Sequence, residues 1–155
     1  MAVGSARAAA AADACQLLTA AQVSSALGVE VDPGTPSIPN HPEHCIWREH
    51  GKEQTIAKNL QLSLLTDRQY EVGKTGLPSI PKTPESGLGD EAYFAKTPGI
   101  GLILTVKKGS TYFRVQARPI QGFSHNKGTP AQEQALDEKY KSVERTIAHE
   151  VLKKI

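Results

Sequence analysis

The clearest alternation of apolar and polar side chains lies between residues 100 and 118, on either side of Lys108-Gly109. Strict alternation is typical of strands that bury one face, so two consecutive strands are predicted. A turn centred on Lys108 and Gly109 makes them a hairpin in which Leu104 pairs with Phe113. The same register pairs Val106 with Thr111 and Leu102 with Val115, and it places Ile100 and Ala117 on that face too.

The strands before this hairpin carry weaker patterns. Gly87-Leu88-Gly89-Asp90 breaks the chain before a short strand at 91–95, which makes 91–118 a meander. Two more strands are predicted at 45–49 and at 58–65, the second with leucines on one face. The proline-rich stretches 32–42 and 73–87 are predicted to be loops, because proline cannot donate to a central sheet ladder. An antiparallel sheet of about five strands follows.

Three helix starts share one chemistry, a threonine followed three residues later by a glutamine. This spacing permits a capping box at Thr19, Thr66 and Thr129. The first two helices are predicted to be short, with Gly28 ending the first. The third runs from Pro130 to the C-terminus at Ile155 along one apolar stripe.

These elements together predict the fold class. Antiparallel strands flanked by helices, without strict strand–helix alternation, indicate an α+β domain over residues 15–155. The long helix is expected to lay its stripe on the apolar sheet face. The predicted core is Leu104, Phe113, Val115, Val143 and Ile147.

Composition narrows the classes of partner. The net charge is +2 over 155 residues, with basic residues spread along the chain, so no nucleic-acid partner is expected. No apolar run approaches the roughly 20 residues that cross a bilayer, so no transmembrane segment is expected. The alanine-rich residues 1–14 are interpreted as a disordered tail, either a trimmed export signal or an artificial leader.

Cys15 and Cys45 are the two cysteines, and neither belongs to a Cys-x-x-Cys motif. A disulfide between them is the simplest interpretation, and closing a loop of this length contributes about 3–4 kcal/mol in the chain-entropy model. The alternative is two unpaired buried thiols in a cytosolic protein.

His41, His44 and His50 surround Cys45 in the sequence and are weak candidates for a zinc or copper site. No second Cys-x-x-Cys or His-x-x-x-His half accompanies them, and a disulfide would remove the thiolate. Solvated loop histidines are the ordinary alternative, so no cofactor and no metal are expected.

No motif predicts catalysis. The Gly87-x-Gly89-Asp90 stretch lacks the Lys-Ser/Thr of a phosphate loop and precedes a strand, and no Gly-x-Ser-x-Gly elbow is present. The chain is therefore expected not to be an enzyme.

Several short motifs resemble one bacterial family, that of exported or lipid-anchored cell-envelope domains of unknown function, related in pattern to extracytoplasmic sensor modules. The motifs are Cys15-x-Leu17-Leu18-Thr19, Ala21 to Gly28, Cys45-x-Trp47, Gly87-Leu88-Gly89-Asp90-Glu91-Ala92-Tyr93 and the Lys108-Gly109 hairpin. The resemblance implies an oxidised Cys15–Cys45 pair and a periplasmic or extracellular location. It transfers no catalytic residue.

The resulting hypothesis is a monomeric, exported, non-enzymatic domain that binds an envelope protein, a peptide, a glycan or a small ligand. Its candidate site is an apolar patch of Tyr93, Ile103 and Tyr112 on the sheet face away from Phe113, provided that no helix covers it. The alternative hypothesis is a metal-binding or redox module built on residues 41–50.

Overall fold

The computed structural model describes residues 12–76, 78–98, 100–119 and 129–155. Most of the predicted tail, residues 1–11, lies outside this part of the chain. A 3₁₀ turn at Ala14–Gln16 precedes three helices, α1 (Ala20–Leu27), α2 (Asp67–Thr75) and α3 (Pro130–Leu152). The strands are β1 (Thr35–Pro36), β2 (His44–Arg48), β3 (Asn59–Leu65), β4 (Lys82–Glu85), β5 (Glu91–Thr97), β6 (Gly101–Lys108) and β7 (Thr111–Arg118).

The strands form one antiparallel sheet in the order β1-β2-β3-β7-β6-β5-β4. The α+β class is therefore confirmed, but the sheet has seven strands rather than about five. The two additional strands lie in the stretches predicted to be loops, and both contain proline, Pro36 in β1 and Pro84 in β4. Both are edge strands, and proline is tolerated there because an edge strand pairs with a neighbour on one side only.

The hairpin β6–β7 forms, but its predicted register is wrong by two residues. Leu104 pairs with Val115 and Val106 with Phe113, so the turn consists of Gly109 and Ser110. Gly109 has a φ of 57°, which glycine adopts without strain, and its N–H donates to Asp90 Oδ2 at 2.6 Å. Because side chains alternate with a period of two, a two-residue shift leaves each of them on its predicted face.

All three predicted capping boxes are present. The side chains of Thr19, Thr66 and Thr129 each accept from the backbone N–H three residues on, and the paired glutamine accepts from the threonine N–H. Gly28 adopts the left-handed conformation that ends α1. The sequence signals therefore determined the helix starts, because each capping box consists of hydrogen bonds between residues only three positions apart.

The main core lies between one face of the sheet and the helices α1 and α3. The five predicted core residues, Leu104, Phe113, Val115, Val143 and Ile147, are all buried there. Arg145 on α3 also holds the edge strand β4, donating from Nε to Glu85 Oε1 at 2.6 Å and from Nη2 to Oε2 at 3.1 Å. The opposite face of the sheet is called the outer face below.

Cys15 and Cys45 form a disulfide with a Cα–Cα distance of 5.2 Å. It joins the segment before α1 to the strand β2. Ordered structure begins before the predicted boundary at residue 15, because Ala14 is fully buried and its N–H donates to the Pro42 carbonyl at 2.8 Å.

Candidate functional site

The outer face does not present the predicted open patch, because α2 lies across it. Tyr70 of α2 packs against Tyr93 and Tyr112 in a second apolar cluster, with ring centroids 6.3 and 4.9 Å away. Tyr93 is only 7% exposed and Tyr112 only 9%. The two tyrosines predicted to bind a ligand therefore pack against the helix α2 instead. Ile103, the third predicted member, is partly buried and lies outside this cluster.

Hydrogen bonds occupy two of the tyrosine hydroxyls. Tyr70 donates to Glu91 Oε1 at 2.8 Å, and Tyr112 donates to Asp67 Oδ1 at 2.6 Å. Burial, followed by the bond to Glu91, raises the pKa of Tyr70, and the bond to Asp67 is the main cause that raises the pKa of Tyr112. Both phenols are consequently neutral donors that fasten α2 to the sheet.

Beside this cluster lies an open cleft of about 500 Å³, lined by residues of α2 and of the strands β2, β3 and β7. We call it the Arg114 cleft. Leu65 and Val72 supply an apolar wall, and Val72 is 60% exposed at the lip. The other lining residues are His44, Ser63, Arg68, Gln69, Gly73 and Arg114.

The sheet register sets the polar floor of the cleft. Arg114 on β7 is paired with Ser63 on β3, and Ser63 is paired with His44 on β2. Adjacent strands are about 4.8 Å apart, so the three side chains form a row about 10 Å wide. His44 Nδ1 and Ser63 Oγ share a hydrogen bond of 2.9 Å.

The charged side chains that line the cleft are all basic. Arg68 and Arg114 contribute two guanidinium groups, and none of the described residues that line the cleft carries a carboxylate. Within the described part of the chain, neither arginine makes a hydrogen bond or an ion pair with another side chain. Arg114 is nevertheless partly buried. The cleft thus contains cationic donors that have no partner among the residues the structure describes.

Gly73 on α2 lets the helix approach this floor. A Cβ atom at residue 73 would lie 3.5 Å from Arg114 Nη2 and 3.2 Å from the Tyr93 hydroxyl oxygen. The guanidinium of Arg114 therefore reaches under the helix, and the absence of a side chain at residue 73 leaves room for it.

The histidines predicted as weak metal candidates do not converge. His50 lies beyond the far end of β2 and pairs with Asp32 at 2.5 Å, which raises the pKa of its imidazole. His41 and His44 are close, with ring centroids 6.4 Å apart, and Glu43 Oε1 lies 2.8 Å from His41 Nδ1. Within residues 12–76, 78–98, 100–119 and 129–155, no group of three or more His, Cys, Asp or Glu side chains is placed to hold a metal ion.

Sequence analysis missed the arginines of the cleft. Arg114 occupies a polar position of β7, where an exposed charge is ordinary, and Arg68 lies in the first turn of a short helix. One signal was available, since Arg114 shares the outer face with Tyr112. Nothing in the local pattern indicated that α2 would fold over that face.

Fold and cleft define an α+β domain with a basic surface cleft. Comparison of the chain with protein-family models, curated proteins and solved structures finds no match. The resemblance to envelope domains accordingly stays a prediction. In the part of the chain described here, no helix is both long enough and apolar enough to cross a bilayer.

Proposed function

We propose that this chain is a non-enzymatic binding domain of the bacterial cell envelope and that its ligand occupies the Arg114 cleft. The observation that carries the proposal is the combination of an apolar wall with hydrogen-bond donors that have no partner among the described residues. Ligand sites typically combine an apolar lining with a few convergent polar groups. The candidate ligands are a peptide, a glycan, a small molecule or a segment of an envelope protein.

Two features support the envelope part of the proposal. The Cys15–Cys45 disulfide is compatible with an oxidising compartment, where such bonds form and persist. The motif resemblance to exported envelope domains implies the same location. The disulfide also takes the thiolate that a metal site at residues 41–50 would use, so the binding hypothesis is preferred to the metal or redox hypothesis.

A fragment screen monitored by ¹H–¹⁵N NMR tests the proposal. The library contains anionic, cationic and neutral compounds together with short peptides and disaccharides. We expect the strongest binders to shift the amide signals of Ser63, Gln69 and Gly73. Shifts confined to other surfaces, or no shifts with any compound, would overturn the proposal.

A matched pair of variants assigns the site. Val72→Trp should fill the lip of the cleft and weaken binding at least fivefold. Ile56→Trp alters an equally β-branched residue that is also exposed but lies in the turn between β2 and β3, and it should leave binding unchanged. Equal effects of the two variants would place the ligand elsewhere.

A further inference from the structure

We infer that the ligand of the Arg114 cleft carries an oxyanion, a carboxylate or a phosphate group, on an apolar chain. The inference rests on the proposed function and specifies its ligand class.

Arg114 is a partly buried cation. A partly buried guanidinium loses hydration, and a partner normally compensates for that loss. Within the described residues Arg114 has none. An oxyanion that enters the cleft would supply the acceptor oxygens, and the planar fork of arginine matches such groups with two parallel hydrogen bonds.

Three carboxylates near the cleft, those of Asp67, Glu91 and Glu43, already have partners among the described residues. Asp67 accepts from the Tyr112 hydroxyl, and Glu91 pairs with Lys74 Nζ at 2.6 Å. Glu43 lies near the mouth, where it contacts His41 and stands 3.9 Å from His44 Nε2. None of these carboxylates forms a hydrogen bond or an ion pair with Arg68 or Arg114, so an oxyanion that pairs with either guanidinium would come from outside the described residues.

The apolar part of the cleft lining indicates what the rest of the ligand is. Leu65 and Val72 border the guanidinium groups on the α2 side, and Val72 is among the large apolar side chains that the fold leaves exposed. An apolar chain attached to the oxyanion would cover Val72 and remove that surface from water. Ser63 and Gln69 can bond to the remaining oxygens, since both are polar and line the same cleft.

Three probes with eight carbon atoms each test the inference: octanoate, octyl phosphate and the neutral octanamide. Affinities for the full chain are measured by isothermal titration calorimetry at low and at moderate salt. We expect octanoate or octyl phosphate to bind at least tenfold more tightly than octanamide, and binding to weaken as salt rises, because the attraction is between charges. Whichever anion binds more tightly identifies the oxyanion.

Variants assign the effect to the guanidinium groups. Arg114→Gln and Arg68→Gln should each reduce the affinity for the anionic probe about tenfold or more and leave the weak binding of octanamide unchanged. Lys139→Gln removes an exposed charge from α3, on the other side of the sheet, and serves as the control for net charge. Circular dichroism and the melting temperature verify that each variant is folded.

The outcomes separate this inference from the proposed function. Equal affinity for octanamide and the anions, or full affinity in both arginine variants, overturns the oxyanion inference. If none of the three probes binds while the fragment screen finds neutral ligands in the cleft, the oxyanion inference fails and the binding function stands. If no compound of any charge binds in the cleft, both are wrong.

Discussion

At the scale of single residues, Glu144 is the most unusual side chain outside the cleft. It lies on the sheet-facing side of α3 and is fully buried. The pairing of β6 with β7 ends at Leu104 and Val115. Two residues further along β7, the Ala117 N–H donates to Glu144 Oε2 at 3.0 Å. Within the described residues, Oε1 has no hydrogen-bond partner. Burial is the main cause that raises the pKa of this carboxyl well above its ordinary value.

Glu144→Gln should stabilise the protein more at pH 8 than at pH 5. In the unfolded chain the carboxyl ionises near pH 4.5, whereas in the folded protein it retains its proton to higher pH. The folded state then binds more protons, so wild-type stability declines as pH rises from the unfolded pKa through the folded pKa. Glutamine has no such titration and keeps an acceptor for the Ala117 N–H.

Urea unfolding of both proteins at the two pH values measures this difference. Tyr140 lies one turn before Glu144 on α3, and burial raises its pKa above 10.0, so it stays protonated at both pH values. Glu53→Gln changes an exposed glutamate and should show no comparable pH dependence. A stability difference between Glu144→Gln and wild type that is the same at both pH values would show that Glu144 is ionised in the folded protein.

At the scale of elements, α2 is the helix that makes the cleft. It has nine residues, too few to be stable alone in water, so its capping box and its tyrosine contacts hold it on the outer face. Thr66 accepts from Gln69 N–H at 3.1 Å, and Gln69 also lines the cleft. The cap therefore supports both the helix and one wall of the candidate site.

Thr66→Ala should destabilise α2 by about 1 kcal/mol, since it leaves an N–H group of the first turn without its acceptor. Hydrogen exchange should accelerate about fivefold at the α2 amides and remain unchanged in α3, provided that α2 opens locally. Thr83→Ala, at an exposed position of β4, is the matched control. Uniform acceleration throughout the protein would show that α2 unfolds only with the whole domain.

Prediction of the elements succeeded wherever the signal was local. The capping boxes, the meander and the stripe of α3 depend on side chains three or four residues apart or on strict alternation, and each element is present. The edge strands β1 and β4 were missed because their proline residues are unfavourable in a central strand, and their edge positions are determined by the order of the whole sheet. The hairpin register was wrong because two adjacent two-residue turns satisfy the same alternation.

At the scale of the whole molecule, the Cys15–Cys45 disulfide joins the segment before α1 to the strand β2. Cys15 precedes α1, and Cys45 is fully buried on β2 next to Trp47. The bond closes a loop with a sequence separation of 30 residues. In the chain-entropy model, such a loop stabilises the fold by about 3–4 kcal/mol.

Reduction should therefore lower the melting temperature by several degrees, and the unreduced, denatured protein should present no titratable thiol. Thermal unfolding with and without a reductant measures the first effect, and thiol titration measures the second. A Cys15→Ser/Cys45→Ser double variant should melt at the reduced protein's temperature and not respond to reductant. Two titratable thiols in protein kept under oxidising conditions would falsify the disulfide and weaken the proposed envelope location.

By itself, the sequence determined the α+β class, the helix starts, the meander and the core-facing side of β3, β6 and β7. These features depend on local hydrogen bonds and on apolar side chains at regular spacing. Both can be read directly from the order of residues in the sequence. The predicted disulfide also formed, between residues 30 positions apart.

Only the tertiary structure decided the use of the outer face. The pattern placed Tyr93 and Tyr112 together there, and the structure covers them with Tyr70 from α2. The same packing leaves Arg114 under Gly73 beside Arg68, in a cleft whose residues come from four separate elements. A charged side chain on a strand carries no local sign of what will fold over it, because that depends on where a distant helix finds its apolar contacts.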